Sequence, residues 1–76
     1  MKLSNVKINK CVPISSLNIQ DIKIKRRICD LGLYSGQVVK VLKKSILKKV
    51  ILISVKNYTL CIQTKIADCI EVEFDE

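Results

Sequence analysis

The sequence predicts an all-β domain: a small β-barrel with one short inserted α-helix. Three observations lead there. Several short runs are rich in β-branched residues and alternate apolar with polar side chains, the period of a half-buried strand. A single segment shows the three-and-four spacing of an amphipathic helix. The chain has only two Gly and one Pro, so each of them punctuates strongly. Its 76 residues allow one small domain, taken as 1–76, and nothing larger.

The elements follow in order. The N-terminal segment reads as a short strand or turn. A strand follows around residues 10–16, with Pro13 inside it. Proline removes a ladder donor, which predicts an edge or a bulge there. Asn18 is the expected helix cap, with Asp21 in the first turn near the positive end of the dipole. Ile24, Ile28 and Leu31 form one apolar stripe, within about 60° of each other on the helical wheel. Gly32 stops the helix in the left-handed region, and Leu33 is expected to pack back on Ile28, the hydrophobic contact of a Schellman end. Ser35-Gly36 makes a second turn.

From Gln37 the period changes to two, with Val39 and Val41 as the inward residues. Residues 43–49 read as a loop. Residues 50–56 read as a buried strand, and Asn57 is the residue expected to take a left-handed turn position. Tyr58, Leu60 and Ile62 alternate along the next strand. Residues 64–68 make a short helical turn. Ile70, Val72 and Phe74 alternate with Glu71, Glu73 and Asp75 in the last strand. Five short strands with a helix after the first point to a closed barrel, SH3-like first and OB-type second.

Composition narrows the function. There is no His, so a Ser-His-Asp or Cys-His catalytic unit and a His-ligated metal site are excluded. So short a chain has little room for an active-site cleft, and no enzyme is expected. Four cysteines, Cys11, Cys29, Cys61 and Cys69, include no Cys-x-x-Cys, so free thiols are expected rather than a chelating or redox pair. No catalytic, cofactor or metal residue is assigned. Transition-metal binding is kept open only as convergence of these thiols or of the C-terminal carboxylates. The formal charge is +7, and every base lies within residues 1–67. That suits an acidic partner, an anionic membrane surface or nucleic acid. The bases are twelve Lys and two Arg beside twelve Ile, a pattern that A/T-rich coding alone also produces. The N-terminus has no signal-peptide run, and no segment is long enough to span a bilayer, so a cytoplasmic protein is expected.

The run Arg26-Arg27-Ile28-Cys29-Asp30-Leu31-Gly32-Leu33-Tyr34-Ser35-Gly36 resembles the signature of the FeoA family, small cytosolic proteins of bacterial ferrous iron transport. That signature reads basic-basic-Leu-x-Asp/Glu-Leu-Gly-Leu-x-Pro-Gly. Ser35 stands where Pro is usual. Val39 and Val41, the strand at 50–55, and Ala67, Ile70 and Val72 extend the resemblance over residues 2–74. Asp30, Leu31, Gly32, Leu33 and Gly36 are its mainly structural core. The resemblance implies an SH3-like barrel acting as an accessory or regulatory protein of Fe(II) uptake. Its implied partner is FeoB, the membrane transporter with a cytosolic GTP-binding domain, and it implies no cofactor. A place just beneath the membrane fits the basic charge, since the cytoplasmic leaflet is negative.

On the helix, Ile22 and Cys29 lie opposite the apolar stripe. With Lys25, Arg26 and Tyr34 they make the candidate docking face. The alternative function is an RNA- or ribosome-binding SH3-like or OB-like module. Three aromatics and two Arg argue against it, because single-strand binding relies on stacking and base readout on Arg.

Overall fold

The computed structural model describes residues 1–73. Phe74, Asp75 and Glu76, and with them the end of the expected last strand, lie outside the described residues.

The elements are a 3₁₀ turn at Leu3–Asn5, β1 (Cys11–Leu17), α1 (Ile22–Asp30), β2 (Val38–Ser45), β3 (Val50–Val55), β4 (Tyr58–Gln63), α2 (Thr64–Ala67) and β5 (Ile70–Val72). The strands form one antiparallel sheet in the order β4-β3-β2-β1-β5. This is the SH3-like barrel with its inserted helix. Two bulges bend the sheet. One lies in β1 between Ile14 and Ser16, and one in β2 between Val41 and Lys43. An extra residue on one strand raises the local twist and curls the sheet on itself. Pro13 stands where β1 stops pairing with β2 and turns to β5, so its missing N–H interrupts no ladder.

The core follows from the alternation. Val12 and Ile14, Val39 and Val41, Ile51, Ile53 and Val55, Ile62, Ile70 and Val72 point inward and are buried. Leu3 and Val6 of the N-terminal turn are also fully buried. They plug one end of the barrel, where the Val72 N–H donates to the Met1 carbonyl at 2.8 Å. The N-terminal ammonium pairs with Glu71 at 3.0 Å, so the basic body and the acidic end of the chain meet there. No polar side chain is buried among the described residues.

Four expectations are corrected. Asn18 does not cap α1. Residues 18–20 lie outside the helix, and the Asn18 backbone N–H donates to the Cys69 carbonyl at 2.7 Å. Asp21 is the cap instead, its carboxylate accepting from the backbone N–H of Lys23 at 2.9 Å and of Ile24 at 3.4 Å. The apolar stripe is not buried as a unit either. Ile28 is buried, whereas Ile24 and Leu31 are exposed. Residues 43–45 belong to β2 rather than to a loop, because the β2 bulge restores pairing of Lys43, Lys44 and Ser45 with β3. In the β3–β4 turn, Lys56 rather than Asn57 takes the left-handed conformation, with φ 54°. The tight connection from Val55 to Tyr58 demands one positive φ, and it falls on the first turn residue.

Candidate functional site

The end of α1 and the segment after it are held by several hydrogen bonds. The Leu33 N–H donates to the Ile28 carbonyl at 3.1 Å and the Gly32 N–H to the Cys29 carbonyl at 3.0 Å. These are the two bonds of a Schellman cap, and they require the left-handed Gly32, which has φ 101°. Leu33 is fully buried beside Ile28 in the core cluster. Gly32 has a second reason to be glycine. A Cβ there would collide with the Tyr58 hydroxyl, which donates to the Leu31 carbonyl. Gly36, with φ 95°, has open space around it, so only its backbone conformation calls for glycine. The turn is stitched to β1: the Gly36 N–H donates to the Ile14 carbonyl at 2.7 Å and Ser35 Oγ to the Ser15 carbonyl at 2.9 Å. Ser35 thus replaces a rigid turn residue with a hydrogen bond.

Around this rigid segment the candidate residues divide. Ile22, Lys25, Arg26 and Cys29 occupy one face of α1 by their spacing. Ile22 is 66% exposed, Lys25 and Arg26 are exposed, and Cys29 is half-buried. Ile28 is the one buried residue of α1, so Ile22, Lys25 and Arg26 on this face stay exposed. Asp30 is exposed as well. Lys23, Lys25, Arg26 and Arg27 make the helix strongly basic, and none pairs with a carboxylate among the described residues.

Tyr34 belongs to a different cluster. The Lys56 ammonium lies over its ring, 5.5 Å from the centroid. A hydrogen bond to Tyr34 and the charge interaction with the same residue raise the Lys56 pKa above its ordinary value. No hydrogen bond or ring contact joins Tyr34 to Ile22, Lys25, Arg26 or Cys29 among the described residues. Lys56 and Tyr58 were not apparent as surface partners of the helix end from the sequence. Their proximity to the helix end comes from the β3–β4 hairpin, and no signal in the sequence shows it.

The four cysteines are free thiols, Cys11 on β1, Cys29 on α1, Cys61 on β4 and Cys69 in the turn before β5. Among the described residues, no three Cys, Asp or Glu side chains gather closely enough to hold a metal ion. No helix of the described residues is long and apolar enough to cross a membrane.

Comparison with known proteins decides the family. The FeoA domain model matches residues 1–74. The chain belongs to the FeoA family. That family is associated with ferrous iron transport. Among solved structures, FeoA from Chlorobium tepidum is 30% identical, with a TM-score of 0.88 over 100% of this chain and 74% of its own. An FeoA-like protein from Clostridium acetobutylicum is 25% identical, with a TM-score of 0.82 over 96% of this chain and 84% of its own. The zinc-complexed FeoA of Stenotrophomonas maltophilia is described as a prokaryotic SH3 domain protein. It is 21% identical, with a TM-score of 0.82, covers 96% of this chain and 89% of its own, and supports the fold alone. No curated protein matches the sequence. The Schellman end and the Gly36 turn lie within the matched residues.

Proposed function

We propose that this FeoA domain is a cytosolic accessory protein of a FeoB-type ferrous iron transporter, binding the transporter's GTPase-bearing cytosolic region. Family membership supports the link to ferrous iron transport, and one structural observation supports a docking role. Helix α1 is capped at both ends yet buries only Ile28, and it presents Ile22, Lys25 and Arg26 outward with Cys29 half-buried beside them. A capped helix costs little entropy to dock, because its backbone is already ordered. An exposed apolar residue ringed by bases suits an acidic partner surface with an apolar centre.

The test is calorimetric titration of the cytosolic domain of a cognate FeoB-type transporter, with and without a GTP analogue. Saturable binding that survives a rise from about 50 to about 200 mM salt is the expected result. Absence of binding to that domain, with salt-sensitive binding to single-stranded RNA instead, favours the nucleic-acid module and overturns the proposal.

A further inference from the structure

The β2–β3 turn carries the most exposed apolar side chains of the described residues. Ile46 is 90% exposed and Leu47 is 97% exposed. Lys43 and Lys44 precede them and Lys48 and Lys49 follow. The turn is built rather than loose. The Lys48 N–H donates to Ser45 Oγ at 3.3 Å, Lys49 is left-handed at φ 55°, and its carbonyl accepts from the Thr64 N–H at 2.9 Å. The two aliphatic side chains are thus held out at the tip of a defined hairpin.

An open groove of about 800 Å³ runs beside the tip. Lys44, Lys48, Lys49 and Lys65 line it. Asp68 is its only carboxylate among the described residues and accepts a hydrogen bond from Ser4 Oγ. The Lys44 ammonium donates to the Ser4 carbonyl at 2.9 Å, which fixes the charge against the barrel without neutralising it. None of these lysines pairs with a carboxylate among the described residues.

We propose that this hairpin tip seats on an anionic lipid bilayer. Ile46 and Leu47 enter the headgroup–acyl boundary, while Lys43, Lys44, Lys48, Lys49 and Lys65 meet the lipid phosphates. Two aliphatic side chains on a convex turn would need a matching socket on a protein, whereas a bilayer accepts them without one. Nucleic acid offers the pair nothing, and the tip has no aromatic ring to stack and no Arg. Lysines on both sides can bury their stems and keep their ammonium groups at the phosphate level. Neither part suffices alone: reversible surface binding takes an apolar anchor together with a basic patch, and both are present. The proposal goes beyond the transporter reading, because it requires no protein partner.

The test is co-sedimentation of the full chain with phosphatidylcholine vesicles, with and without one-third phosphatidylglycerol. The protein should pellet with the anionic vesicles at about 50 mM salt, weaken at about 200 mM, and stay in solution with phosphatidylcholine alone. The double variant Ile46→Asn with Leu47→Asn should lose about tenfold or more in partitioning, since it removes the inserting groups. Lys43→Gln with Lys48→Gln should lose roughly fivefold per lysine. All four side chains are exposed, so the variants should fold, and thermal melts check this. The proposal is overturned if the anionic vesicles pellet nothing at low salt. It is also overturned if the asparagine variant binds as well as the parent. A third contrary result is an oligouridine bound more tightly than the vesicles and indifferent to that variant. Because vesicles contain no transporter, failure here leaves the transporter reading intact.

Discussion

The end of α1 and the tip of the β2–β3 hairpin are both basic, both project from the barrel and both expose aliphatic side chains. They differ in how they are held. Residues 30–36 are fixed by the Schellman bonds, by the Tyr58 hydroxyl and by two bonds to β1. Ile46 and Leu47 touch almost nothing. Residues 30–36 therefore act as scaffolding, and changing them should cost stability. The residues suited to contact other molecules sit beside the scaffold or away from it, and changing them should leave the fold alone.

That contrast can be broken by mutation. The largest effect is expected from Gly32→Val, which puts a β-branched residue at φ 101° and a Cβ against the Tyr58 hydroxyl. Denaturant unfolding should show a loss of at least about 2 kcal/mol, the left-handed penalty plus the clash. Gly36→Ala should cost only about 1 kcal/mol, because its surroundings are open and only the backbone objects. Asp21→Ala should also cost about 1 kcal/mol, the usual loss for a helix cap.

A sharper form uses a double-mutant cycle. Tyr58→Phe removes the hydroxyl that both bonds the Leu31 carbonyl and blocks a Cβ at Gly32. Alone it should cost about 1 kcal/mol for the lost hydrogen bond. In its background Gly32→Ala should be milder than in the parent, a coupling of at least about 0.5 kcal/mol. Strict additivity would show that the hydroxyl does not shape the Gly32 site. The smallest effect is expected at the tip: the Ile46→Asn, Leu47→Asn pair should stay within about 0.5 kcal/mol of the parent, as exposed substitutions do.

Much of this was legible in the sequence, for local reasons. Period-two patterning placed the strands, and a lone Gly after a periodic segment placed the end of α1 together with its left-handed residue. What escaped depended on contacts between distant residues. Residues 18–20 stay outside the helix, tied to Cys69 through the Asn18 N–H, and Asp21 is the cap. The β2 bulge prolonged a strand through a lysine-rich stretch that looked like a loop. Apolar spacing marked Ile24, Ile28 and Leu31 as one stripe, but only Ile28 is fully buried. Of the residues proposed for docking, only their exposure can be compared with the sequence reading. Ile22, Lys25 and Arg26 are exposed together on α1, whereas Tyr34 turns to Lys56, a neighbour that only the β3–β4 hairpin supplies.

The most direct measurement is titration of a FeoB-type cytosolic domain with two variants side by side. One reverses the α1 face, Ile22→Asp with Arg26→Glu. The other is the Ile46→Asn, Leu47→Asn tip variant. If α1 docks the transporter and the tip docks lipid, the first should lose affinity tenfold or more, in line with loss of an anchor residue and a charge reversal. The second should bind as the parent does. Equal binding by the α1 variant and the parent, or loss of binding in the tip variant alone, would contradict that division.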